Sequence, residues 1–123
     1  MNQIFWIALG GAMGAVLRYL LGSGINTLLP LDFPLGTLLV NVLGCFAIGA
    51  VFAALGSNQN FETTLRPFFV IGILGGFTTF SSYSMEIITL LQNKEAMKAF
   101  SYFFLSNALG FAAAWFGYKL FTA

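Results

Sequence analysis

PFFVIGILGGFTTFSSYSM, residues 67–85, is the stretch on which the reading of this chain turns. It carries no charge and belongs to a run long enough to cross a bilayer, for which about 20 apolar residues are needed. Its centre is nevertheless a poor place for a plain membrane helix. Gly75 and Gly76 together weaken a helix, and Thr78, Thr79, Ser81, Ser82 and Ser84 follow at once. Lipid offers these hydroxyls no partner. Any one of them can bond back to its own helix, but that accounts poorly for five crowded into seven positions. The spacing predicts a helix broken in mid-membrane at Gly75-Gly76. Freed carbonyls can coordinate a cation, and the start of the next helix can attract an anion. Such a break is tolerated only where protein or a cavity covers it.

Outward from this stretch, the apolar residues fall into four runs, roughly 4–25, 35–56, 67–92 and 98–121. The polar connections at 26–34, 57–66 and 93–97 leave no room for an extramembrane domain. Strand-like alternation is missing, so the backbone must satisfy itself as helices. The expectation is one all-α integral membrane domain over 1–123, with four transmembrane helices. Met1-Asn-Gln-Ile lacks the basic start of a cleaved signal peptide, so the first run reads as a retained span.

Composition agrees. Hydrophobic residues make up 59% and charged residues 7%, against about 25% charged in a soluble domain. A net charge of +1 offers nothing to grip nucleic acid. Histidine is absent and Cys45 is the single cysteine, which excludes an internal disulfide, a zinc cluster and a Cys–His nucleophile. No enzymatic nucleophile–base pair is visible. Cys45 reads as a small packing residue.

Orientation is weakly encoded. Arg66 and Lys119 lie on one side, Lys94 and Lys98 on the other, so the positive-inside rule has almost no bias to act on. Either a partner or one dominant residue fixes the orientation, or the chain inserts both ways and pairs antiparallel. Gly10 with Gly14, and Gly72 with Gly76, are GxxxG pairs. Packing inside one subunit is the plainer reading of each, and a dimer contact is the alternative.

Polar residues within the spans are the functional candidates. Asn41 can bond a neighbouring helix or line a pore. Arg18 can snorkel, or place positive charge at the mouth of an anion path. Glu86 is an intramembrane acid that either functions or pairs with Arg18 or a lysine. Tyr102, Ser106 and Gly110 recur every four residues and share one helix face, flanked by Ser101 and Asn107. Phe80 and Tyr83 are three apart. Core packing is the plainer reading of the two rings. Ring edges carry partial positive charge, however, and suit a small anion without trapping it as lysine or arginine would.

Together, GGAMGAVLRY at 10–19, GTLLVNVLG at 36–44 and GGFTTFSSYS at 75–84 resemble the Fluc/CrcB family of fluoride channels, and the resemblance runs through essentially the whole chain. It implies a fluoride-selective channel that exports cytoplasmic fluoride by passive electrodiffusion. It implies a multi-pass protein of the cell inner or plasma membrane. The expected assembly is an antiparallel, dual-topology homodimer with two pores and one central structural sodium ion. Gly75 and Thr78 match the residues whose backbone carbonyls hold the sodium. Asn41 matches the pore asparagine, Phe80 and Tyr83 the two ring edges, and Tyr102 and Ser106 the polar track. Thr79, Ser81 and Ser84 fall along the anion path, and Arg18 at a vestibule. Two positions depart from the family pattern: Tyr83 stands where phenylalanine is usual, and Gly110 where some relatives place serine. The alternative is a small dual-topology cation/proton drug antiporter. It wants an acid in the first helix, where this chain has Arg18, and Glu86 would have to serve from the third. A non-transporting assembly subunit is a third reading.

Overall fold

The computed structural model describes residues 2–122. Its helices are α1 (Asn2–Leu28), α2 (Leu35–Leu55), α3 (Phe61–Leu74, continued by Gly75–Phe77), α4 (Phe80–Gln92) and α5 (Ala96–Phe121). α3 and α4 are the two halves of one span. Among the described residues, four helical stretches are long and apolar enough to cross a membrane: Gln3–Leu28, Leu35–Leu55, Phe61–Gln92 and Ala96–Phe121. Large apolar side chains cover the outside, from Ile4 and Leu20 to Phe111 and Trp115. That surface suits lipid and would be a liability in water.

Two boundaries differ from expectation. Residues 57–66 read as a polar loop, yet helix begins at Phe61. Phe61 is buried and meets Phe52 edge-on at 5.3 Å, which draws the helix start back onto α2. Glu62 and Arg66, the charges that suggested a loop, sit one turn apart on the exposed face. The winding of α3 is wide: the Leu65 amide reaches the Asn60 carbonyl and the Gly75 amide the Val70 carbonyl, each five residues back. Pro67 lies within this stretch and supplies no donor of its own.

The break in the third span also falls elsewhere than expected. Gly75 is helical, with φ −62° and ψ −38°. The extended residues are Thr78 (φ −85°, ψ 157°) and Thr79 (φ −148°, ψ 120°). The glycines do a different job. A Cβ on Gly76 would sit 2.6 Å from the Gly11 carbonyl oxygen, and one on Gly10 would sit 2.9 Å from the Ile73 amide. Gly10 and Gly14 therefore face Gly72 and Gly76 across a seam where α1 and α3 touch backbone to backbone. Both GxxxG pairs pack within one subunit. A second seam joins α2 to α5, where a Cβ on Gly49 would meet the Ala114 carbonyl and one on Gly117 the Phe46 carbonyl.

α4 packs on α5 and only lightly on α2. Leu38, Tyr83, Leu90, Ala99 and Tyr102 form the core among these three helices. The ends are tied. Asn26 Oδ1 accepts from the Gly36 amide at 3.0 Å. Lys98 bridges Asp32 and Glu95 at 2.7 and 2.6 Å, holding the first loop to the start of α5. Lys94 takes the left-handed conformation (φ 61°) that reverses the chain between α4 and α5.

Candidate functional site

A helix broken in an apolar surrounding must re-satisfy its backbone. Here two other residues do so. The side-chain amide of Asn41 pairs reciprocally with Thr79: the Thr79 amide donates to Asn41 Oδ1 at 2.8 Å, and Asn41 Nδ2 donates to the Thr79 carbonyl at 3.0 Å. Thr79 Oγ1 caps α4 by accepting from the Ser82 amide at 3.1 Å. Arg18 Nε donates to the Gly76 carbonyl at 3.0 Å, so its positive charge lies at the C-terminal end of α3, where the helix dipole favours it. In an unbroken helix the amides of Thr79 and Ser82 would bond the carbonyls of Gly75 and Thr78. Both amides are diverted, so those two carbonyls are released from the ladder.

Beside the break lies a cavity of about 370 Å³, lined in part by Asn41, Thr79, Phe80, Tyr83, Ser106 and Asn107. Gly75 and Thr78 also border it. Its polar groups come from three helices at one level. Tyr83 is 7% exposed, whereas Phe80 is 78% exposed and stands outward at the rim. Their ring centroids are 5.6 Å apart at 60°. Asn107 Nδ2 donates to the Tyr83 hydroxyl at 3.3 Å. Ser106 Oγ is buried without any hydrogen-bond partner, a costly state for a hydroxyl unless something arrives to accept its proton.

About one helical turn away lies a second polar layer. Thr37 Oγ1 donates to Glu86 Oε2 at 2.9 Å and the Tyr102 hydroxyl to Glu86 Oε1 at 2.7 Å. Tyr102 is wholly buried, and its ring stands edge-on to Tyr83 at 5.1 Å and to Phe33 at 5.5 Å. Each of the three helices thus supplies one residue to each layer: Thr37 and Asn41 from α2, Glu86 and Tyr83 from α4, Tyr102 and Ser106 from α5. These are helix-face spacings of three or four. Two stacked polar layers ending in a pocket with unspent donors can accept an anion.

Residues 5–118 match the family described as CrcB-like protein, Camphor Resistance (CrcB). Over 117 residues the chain is 44% identical to a fluoride-specific ion channel FluC of Flavobacterium psychrophilum, covering 95% of this chain and 94% of that one. It is 45% identical over 128 residues to the FluC of Helicobacter acinonychis, covering 99% and 100%. Identity to the FluC of Helicobacter pylori strain P12 is also 45%, covering 99% and 98%. The chain belongs to the CrcB family. With four apolar spans it is a multi-pass membrane protein, and its relatives are channels rather than enzymes.

The structure of this CrcB-family chain gathers Asn41, Thr79, Phe80, Tyr83 and Ser106 around one cavity, with Gly75 and Thr78 at its border. Arg18 lines a separate cavity of about 150 Å³ with Asn26, Thr37, Thr79 and Ser82, so Thr79 borders both spaces. Ser81 and Ser84 are not brought to the main cavity. Ser84 bonds back to the Phe80 carbonyl at 2.9 Å, and Ser81 meets Thr79 Oγ1 at 3.3 Å. Thr78 Oγ1 likewise bonds back to Leu74 at 2.9 Å. Tyr102 lies in the second layer. At Gly110, an added Cβ would rest 3.5 Å from Cys45 Sγ, and Cys45 lines the cavity as well as packing.

Sequence reasoning left Thr37 without a role, took Asn107 only as a flank of the α5 stripe, and left Glu86 either as a functional acid or as a partner of Arg18 or a lysine. The signal for Thr37 was its spacing of four from Asn41, which puts both on one face. Glu86 meets two hydroxyls instead because Arg18 is occupied at the break. Glu86→Ala would leave the buried Tyr102 hydroxyl unpaired, at about 1–3 kcal/mol. A lower unfolding midpoint in detergent is the expected result, partly restored by Tyr102→Phe in the same chain.

Proposed function

We propose that this chain is a fluoride channel of the cell inner or plasma membrane, which lets cytoplasmic fluoride leave by passive electrodiffusion. The observation that carries it is the buried, unpartnered Ser106 hydroxyl, opening with Asn41 and Tyr83 onto one cavity beside the helix break. Fluoride is small and holds its water strongly. It needs donors that replace the water without binding it so tightly that it stays. Hydroxyl and amide protons and ring edges meet that need, and no lysine or arginine lines this cavity. The names of the relatives, fluoride-specific ion channels, give the same ion. An antiporter reading gains nothing from Glu86, since both of its oxygens are held by hydroxyls.

The working unit we infer is an antiparallel, dual-topology homodimer with two pores. Support comes from Phe80, which stands exposed at the cavity rim, where a second copy would enclose it. The near-even split of Lys and Arg is consistent with insertion both ways. The released carbonyls of Gly75 and Thr78 suit a hard cation that takes oxygen ligands, and they are the residues we assign to the structural sodium. Sodium, when bound, would supply a fixed positive charge that neutralises carbonyl dipoles gathered at the dimer axis.

The test is ion efflux from liposomes carrying the purified protein, with fluoride and chloride electrodes side by side. Fluoride loss with chloride retained is the expected result; equal retention of both, from folded protein, would overturn the channel. Phe80→Ile removes one ring edge and, because the side chain stands outside the subunit core, leaves the subunit folded. Its fluoride efflux is expected to fall about tenfold or more, the equivalent of about 1.4 kcal/mol. Unchanged flux would remove Phe80 from the path.

A further inference from the structure

The orientation of the Asn107 amide is chemically fixed. Asn107 Nδ2 lies 2.8 Å from the Phe103 carbonyl, which can only accept, so the nitrogen and not the oxygen must face it. The same nitrogen lies 3.3 Å from the Tyr83 hydroxyl. Its two protons are thereby assigned, one to Phe103 and one to Tyr83. The Tyr83 oxygen accepts, and its own proton must point away from Asn107. Among the described residues no acceptor takes that proton. Tyr83, Ser106 and Asn107 all line the same cavity, and the Tyr83 ring is buried against Tyr102 at 5.1 Å.

We propose that Asn107 is a positioning residue that holds the Tyr83 phenol with its proton free for the cavity, so that the hydroxyl as well as the ring edge serves as an anion donor. This rests on the channel reading above. A phenylalanine at the same place offers only its ring edge and spins without consequence about its symmetric axis. The tyrosine is tethered at its far end, which fixes the ring and adds one strong donor. An O–H group gains more from a compact anion than from a large one, because the interaction energy falls with separation. The pair therefore favours fluoride over chloride.

Four proteins test this: wild type, Tyr83→Phe, Asn107→Leu and the double variant, with Asn107→Ala as a second replacement that adds no bulk. Fluoride and chloride efflux are measured in liposomes. Fluoride binding is followed separately in detergent by the tyrosine near-ultraviolet difference band. Each single variant is expected to conduct fluoride about tenfold more slowly, the effect of one charge-assisted hydrogen bond. The double variant should be no slower than either single, and the fluoride response of the tyrosine band should vanish with Tyr83→Phe and weaken with Asn107→Leu. A merely structural asparagine would slow efflux by the same factor in both backgrounds, and that result overturns the proposal. So does a wild-type tyrosine band indifferent to fluoride. A wild-type protein whose tyrosine band responds to fluoride but whose liposomes hold it would instead fail the channel reading and leave the donor pair standing.

Discussion

Asn41→Asp is expected to lower fluoride efflux by on the order of a thousandfold while the protein stays folded. Aspartate retains an oxygen for the Thr79 amide, so half of the reciprocal pair survives. The other half is lost, and the Thr79 carbonyl is left without its donor, a cost of about 1–3 kcal/mol. The larger effect is on the anion. A fixed negative charge about 4 Å from a passing anion repels it by about 4 kcal/mol at an effective dielectric constant near 20. That corresponds to about three decades in occupancy. Efflux from liposomes and the unfolding midpoint in detergent separate the two effects. Wild-type flux from Asn41→Asp would take Asn41 off the anion route and leave it only its role at the break.

Gly76→Val has the largest expected effect on stability. Its Cβ alone would lie 2.6 Å from the Gly11 carbonyl oxygen and 3.1 Å from the Ala15 amide nitrogen. Both are backbone atoms of α1 and cannot rotate aside. Relief requires opening the α1–α3 seam, which moves Arg18 away from the Gly76 carbonyl. The cost belongs at or beyond the upper end of the about 1–3 kcal/mol typical of overpacking. Gly24→Val is the control, because nothing lies within 4 Å of a Cβ there. The expected outcome is a monodisperse, stable Gly24→Val protein and a Gly76→Val protein that fails to yield a folded peak. Equal behaviour of the two would mean that the seam tolerates more separation than its backbone contacts indicate.

Four spans were legible because lipid imposes one rule along the whole length of each: few charges and an internally satisfied backbone. The existence of a break was legible for the same reason, since five hydroxyls in an apolar run need explaining. Its position was not. Two glycines suggest a break by propensity, but these are consumed by contact with α1. The extended shape of Thr78 and Thr79 is held by Asn41, 38 residues away in sequence. No local pattern carries that information. Ser81 and Ser84 misled in a simpler way: neighbours in a helix point in different directions, and Thr78, Thr79 and Tyr83 border the cavity between α2 and α5 while Ser81 and Ser84 do not. The start of α3 was missed because Glu62 and Arg66 look like loop residues, although one solvent-facing side of a buried helix end can hold both. Motif resemblance named Asn41, Phe80, Tyr83 and Ser106 together, and these four do meet at one cavity. The pairing of Glu86 with Thr37 and Tyr102 needed three helices brought side by side.

The two glycine seams join α1 to α3 and α2 to α5, so neither joins helices that follow one another in the chain. During synthesis α1 meets α2 first, where a Cβ on Gly36 would lie 2.6 Å from the Gly22 carbonyl, but its glycine seam stays open until the third span has begun to insert. α2 must wait longer, with Gly49 and its neighbours facing lipid, until α5 has entered the bilayer. The break is clamped in between, since Asn41 cannot pair with Thr79 before the third span has been made. A nascent chain halted ahead of α5 would therefore present one finished helix pair and one open groove, the form in which a membrane quality-control protease would find it easiest to recognise.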